Sequence, residues 1–136
     1  WNGERYGGFS EAAPWLSMSA RFRKEITVEA QQKDKDSILA FYKKLIAMRK
    51  TYPVIAEGGI SFLETGTDMV LAYQRILGEQ QLVVLCNLDG KRQTIKTSGQ
   101  WKDFKVLLEN YEGREMVLEE GTFTMEPYGF MVLISK

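Results

Sequence analysis

The groups this chain could use for chemistry are few in kind. It holds 18 Asp and Glu, 18 Lys and Arg, six Tyr, one Cys and no His. Without histidine there is no Ser/His/Asp or Cys/His nucleophilic arrangement and no imidazole-ligated metal site. The sequence has no Gly-rich phosphate loop and no paired-cysteine zinc motif. Chemistry done by this chain alone would rest on carboxylates, Lys, Tyr or Cys86. No metal and no other cofactor is expected. Cys86 lies in the apolar run 82–86 and reads as a buried, reduced thiol, because one cysteine permits no disulfide within the chain. A reducing compartment is expected, read as the cytoplasm.

Side chains suited to touching a ligand crowd the start. Trp1, Tyr6, Phe9, Trp15 and Phe22 fall within 1–35. That stretch sustains neither a helical nor a strand period, and Asn2-Gly3, Gly7-Gly8 and Pro14 are turn signals. Irregular segments this rich in aromatics are binding loops, or are pinned against a larger body. Ile26 and Val28 are expected to form a short extended piece, and 31–36 a polar lead-in. Acidic and basic residues balance, so no field draws nucleic acid or an anionic membrane. Lys102, Lys105 and Arg114 form no stripe, and no apolar run reaches spanning length. Neither nucleic acid nor a membrane is expected as a partner.

Two kinds of element must hold these residues. From 36 to 53 the chain reads as one amphipathic helix. Ile38, Phe41, Tyr42, Leu45, Ile46 and Met48 or Arg49 recur near i, i+3, i+4, i+7, i+8 and i+11, with Lys43, Lys44 and Lys50 on or beside the opposite face. Asp36 or Ser37 suits the cap, and Pro53 stops the helix. Burying five or six such side chains gains about 8–15 kcal/mol gross, and a lone helix of this length is marginal in water. The apolar face therefore needs a partner.

After the glycine pair at 58–59 the period becomes that of strands. Eight are expected, at 60–64, 69–75, 81–87, 92–96, 104–109, 115–118, 122–125 and 128–134. The apolar runs 82–86 and 130–134 belong in the middle of a sandwich, and 92–96, polar on one face, at an edge or facing water. Asp89-Gly90 suits a tight turn between the third and fourth strands. The expected division is 1–57 and 58–136.

The order of several short motifs resembles a known family. Trp1-Asn2, Gly8-Phe9-Ser10 and Pro14-Trp15-Leu16 are similar to the stretch after the eighth barrel strand in α-glucosidases of the α-amylase superfamily, in the oligo-1,6-glucosidase and dextran glucosidase group. Lys24-Glu25-Ile26-Thr27-Val28-Glu29 resembles a second motif of that group. The helical run Phe41-Tyr42-Lys43-Lys44-Leu45-Ile46-Ala47-Met48-Arg49-Lys50, followed by Pro53-Val54, resembles a third. The resemblance implies a mixed fold: the last loop and helix of a (β/α)8 barrel (1–57), then a C-terminal antiparallel β-sandwich (58–136). The missing partner of the helix is then the rest of the barrel.

On that resemblance the chain is the C-terminal portion of a retaining α-glucosidase that hydrolyses α-1,6- or related α-glucosides, and is itself structural. Such enzymes use two carboxyl groups across the scissile bond. In the family these stand on earlier strands, so no residue here is assigned as catalytic. Glu4, Glu11, Glu25, Glu109, Glu119 and Glu120 are read as solvated. Trp1 and Asn2 are the candidate substrate contacts, by stacking on a sugar ring and by hydrogen bonding to its hydroxyls. Oligosaccharide is the implied partner, met through the missing barrel. Two other readings stay open. One is a carbohydrate-binding module using the N-terminal aromatics and Trp101; the other is a domain that associates with itself through the exposed helix face. Tyr128 is read as structural.

Overall fold

A computed structural model describes residues 1–8, 10–16, 26–97, 101–111 and 121–135. The chain divides into two compact units, Trp1–Thr51 and Tyr52–Lys136.

The first unit is built on two helices. α1 spans Val28–Lys33 and α2 spans Ile38–Thr51. The expected extended piece at Ile26 and Val28 is thus overturned. Thr27 instead caps α1, its hydroxyl accepting the Ala30 N–H at 3.1 Å, and Lys33 pairs with Glu29 one turn earlier at 3.0 Å. The polar lead-in at 31–36 serves to start α2. The Ser37 hydroxyl accepts the Ala40 N–H at 3.2 Å and donates to the Gln31 carbonyl at 2.7 Å. The Gln31 side-chain oxygen takes the Leu39 N–H at 2.9 Å. Two otherwise orphaned donors of the first turn are so satisfied. α2 ends before Pro53, as expected, but no residue along it is buried: Ile38 is 70% exposed and Ile46 52%.

The second unit is antiparallel. A short helix, α3 (Val54–Glu57), starts directly after Pro53. Seven strands follow among the described residues: β1 Gly59–Phe62, β2 Val70–Leu77, β3 Gln80–Asn87, β4 Gln93–Lys96, β5 Lys105–Glu109, β6 Thr122–Met125 and β7 Phe130–Ile134. The expected strand at 115–118 lies outside the described residues. Five strands form one sheet in the order β1-β2-β3-β7-β5, and β4 pairs with β6 in a second. β3 holds the centre, where its apolar run belongs. β4 is an edge strand with Ile95 turned inward at 1% exposure.

The two sheets share one core. Val83, Leu85 and Leu133 have no exposed surface, and they cluster with Ile95, Phe123 and Met125 from the second sheet. Trp101 is in the same cluster at 4% exposure, so the ring available to a carbohydrate module in the sequence reading is buried instead. Asp89-Gly90 does not close a hairpin, because β3 and β4 lie in different sheets. Asn87 redirects the chain there. Its Oδ1 accepts the Asp89 N–H at 3.0 Å, and its Nδ2 donates to the carbonyls of Lys91 and Glu126 at 2.8 and 2.7 Å. The two-residue hairpin is at Gly78-Glu79, with Leu77 opposite Gln80 and Gly78 at φ 59°, a conformation glycine adopts without strain.

α3 seals part of the other face of the five-stranded sheet. Val54 is fully buried against Leu82 and Ile134. The helix end is fixed by Arg75, whose guanidinium donates to the Gly58 carbonyl at 2.8 and 3.2 Å. A β-carbon at Gly58 would sit 2.6 Å from the Val54 carbonyl oxygen, so this corner admits only glycine.

Candidate functional site

The N-terminal loop is folded by its own backbone. Asn2 N–H donates to the Gly7 carbonyl and Gly7 N–H to the Glu4 carbonyl, both at 3.1 Å. Asn2 Oδ1 accepts the Glu4 N–H at 3.2 Å. Tyr6, Gly7 and Gly8 all take positive φ, at 60°, 73° and 76°. For Tyr6 that is a strained conformation of order 1–2 kcal/mol, partly offset by the Arg5 guanidinium 4.7 Å over its ring. A β-carbon at Gly8 would overlap the Asn2 carboxamide. The loop therefore fixes where Asn2 points.

Trp1 is tied by its backbone. Its carbonyl accepts the Glu29 N–H at 3.1 Å, at the start of α1, while its side chain is 72% exposed. Asn2 is half-buried. Oδ1 is used inside the loop, and no partner of Nδ2 is found among the described residues. Trp1 and Asn2 are brought together as neighbours on a shaped loop. Phe9 lies outside the described residues, and Trp15 is exposed. Of the carboxylates, Glu4 and Glu11 are exposed and Glu109 is half-buried on β5; Glu25, Glu119 and Glu120 lie outside the described residues. Among the described residues no cluster of His, Cys, Asp and Glu could hold a metal ion. No helix among them is long and apolar enough to cross a membrane.

Two groups on the α3 side of the sheet have perturbed acidity. Cys86 is half-buried, not fully buried as its apolar run suggested, because its side chain faces away from the shared core. Burial pushes its thiol up, and burial with the nearby Cys86 does the same to the Tyr73 hydroxyl against a smaller opposing effect of Arg75. Both groups hold their protons more tightly when folded. The linked stability is fully present below the unfolded pKa values and is lost as pH rises through the folded ones. The urea midpoint is therefore expected to fall on the alkaline side, above the ordinary thiol range. Alkylation of Cys86 in the folded chain should need a higher pH than that of a free thiol, checked by iodoacetamide rates across pH. Asn87 was not foreseen; its signal is a lone amide closing an apolar strand. Tyr128 holds a turn with φ 53°, its N–H on the Asp89 carbonyl at 3.0 Å, yet its ring is exposed.

Comparison with known proteins decides the family. Residues 1–58 match the α-amylase catalytic domain, and residues 70–132 match the C-terminal domain of the α-amylase SusG. The chain belongs to the α-amylase superfamily. It is 30% identical to an oligo-1,6-glucosidase of Halalkalibacterium halodurans, matching over 100% of this chain and 24% of that protein. It is 32% identical to a trehalose-6-phosphate hydrolase of Bacillus subtilis, over 97% and 24%. Among solved structures, a trehalose-6-phosphate hydrolase of Bacillus licheniformis superposes with a TM-score of 0.81 at 30% identity, covering 100% of this chain and 25% of that one. An isomaltulose synthase of Erwinia rhapontici, solved with sucrose, shares the fold at a TM-score of 0.79 and 24% identity. The chain spans about a quarter of the length of the curated relatives it matches. The stretch that matches the catalytic domain carries α1, α2 and α3, and the stretch that matches the SusG C-terminal domain carries antiparallel strands.

Proposed function

We propose that this chain forms the C-terminal part of a retaining α-glucosidase that hydrolyses α-1,6- or related α-glucosides in the cytoplasm. Residues 1–57 end the barrel, and 58–136 form a β-sandwich that follows it. The reading is carried by α2: a helix of 14 residues with an apolar stripe and no buried side chain. Such a stripe has the composition of a buried surface and is stable when covered. The names of the relatives, and a free thiol as the one cysteine, support the rest.

In this reading the two carboxyl groups of the reaction stand on barrel strands outside the chain. One attacks the anomeric carbon, and the other protonates the leaving oxygen and then activates water. Trp1 and Asn2 lie at the C-terminal rim of that barrel, where its active site forms. The Trp1 face stacks on a sugar ring, and the Asn2 amide donates to a hydroxyl. The test is turnover of an aryl α-glucoside by the purified chain. A rate at the buffer blank is expected, and hydrolysis well above it would place catalytic groups in this chain and overturn the reading.

A further inference from the structure

The turn between β6 and β7 places a tyrosine where glycine would fit without strain. Tyr128 takes φ 53°, a left-handed conformation that bulky side chains disfavour. Hydrogen bonds fix the backbone around it. The Tyr128 N–H donates to the Asp89 carbonyl at 3.0 Å, and the Tyr128 carbonyl accepts Asn110 Nδ2 at 2.9 Å. The Gly129 N–H donates to the Glu126 carbonyl at 3.0 Å, and the Phe130 N–H to Asn110 Oδ1 at 2.8 Å. The strain wins little packing in return, since the Tyr128 side chain is 67% exposed. Its hydroxyl end rests against Gly90, where a β-carbon would come within 3.1 Å of Oη. The ring is thus set in position and left open. A strained residue that its surroundings over-determine, with a side chain that is not buried, points to a contact made by that side chain.

Two further groups adjoin the same turn. Tyr111 donates from its hydroxyl to the Pro127 carbonyl at 2.8 Å, and its side chain is 40% exposed. Two open rings therefore meet at the Pro127–Tyr128 peptide. Asp89, whose carbonyl holds the Tyr128 N–H, is half-buried. Its Oδ2 accepts Gln93 Nε2 at 2.8 Å, and no partner of Oδ1 is found among the described residues.

We propose that Tyr128, Tyr111 and Asp89 form a saccharide-binding site on the β unit, which takes a neutral hexopyranosyl oligosaccharide. Tyrosine rings offer broad, rigid surface at low entropic cost and pair an apolar face with a polar tip. Such faces cover the C–H side of a pyranose, and the Asp89 carboxylate accepts from its hydroxyls. An anionic ligand fits less well. A carboxylate stands in the site, and the nearby Arg92 is already paired with Glu126 at 3.0 Å. The site uses no residue of the first unit and does not depend on the barrel reading.

The test is a two-dimensional amide NMR titration of the 136-residue chain with maltotriose and, separately, with isomaltotriose. Saturable shifts at the amides of 88–91, 110–111 and 128–130 are expected with at least one of them at millimolar concentration. Y128N and Y128G place residue types that accept positive φ. Both should bind about tenfold more weakly or worse, with a urea midpoint unchanged or raised. Y128F keeps the ring and should bind within about twofold of the parent chain. Three results would each overturn the site. One is the absence of shifts at those amides with both sugars. Another is binding that survives in Y128G or is lost in Y128F. The third is a fall in the urea midpoint of both Y128N and Y128G, which would make the ring a support of the fold.

Discussion

Leu85→Ala should lower the unfolding free energy of the β unit by about 2–5 kcal/mol. Leu85 has no exposed surface and lies between Ala72 and Met131 on the core face of β3. Truncation removes three carbons' worth of burial and leaves a hole walled by both sheets. One of those walls is the two-stranded β4-β6 sheet, whose Ile95 and Phe123 belong to the same cluster. Against a total of about 5–15 kcal/mol for an ordinary domain, the loss is a large share. Urea denaturation followed by Trp101 fluorescence measures it. Trp101 belongs to the same cluster, so its emission should shift to the red at the lower midpoint. A loss under about 1 kcal/mol would mean that the two sheets do not close over Leu85.

Asn87→Leu tests the other support of this unit. The side chain is 2% exposed and makes three hydrogen bonds to backbone groups of two loops. Leucine fills the same space but takes the side-chain partner from the Asp89 N–H and the Lys91 carbonyl, while the Glu126 carbonyl keeps the Gly129 N–H at 3.0 Å. Each such group costs about 1–3 kcal/mol, less where water enters, so a net loss of about 2–4 kcal/mol is expected. Asn87→Asp should also destabilise, because a carboxylate has no N–H to offer the Lys91 and Glu126 carbonyls. If Asn87→Leu were neutral, the redirection of the chain at 88–92 would have to be attributed to packing. Unfolding midpoints of both variants and hydrogen exchange at the Asp89 amide check the assignment.

Much of this architecture was legible where the pattern is long. α2 announces itself by five apolar side chains at helical spacing and by Pro53. β6 matches its expected span of 122–125 because polar and apolar residues alternate cleanly through Thr122, Phe123, Thr124 and Met125. α1 was missed because six residues are too few to establish a period; only its capping threonine could have shown it. The pairing of strands was misread at Asp89-Gly90, where local turn chemistry was outweighed by one buried amide that is close to both loops only in the fold. Trp101 looked available beside a glycine turn, but its burial is decided by strands distant in sequence. The candidate contacts Trp1 and Asn2 were chosen from residue type and motif order, and the loop geometry that orients Asn2 requires the positive φ values of three consecutive residues.

The seat of Val54 bears on how the β unit can be transplanted. Sequence punctuation invites a cut at the glycine pair, but a graft starting there would strip Val54 from its socket and wet Leu82 and Ile134. It would also leave Arg75 without the Ala56 carbonyl that receives its second nitrogen at 3.5 Å. A donor segment beginning at Tyr52 keeps the plug, the socket and the clamp together, so the portable module is longer than its strands.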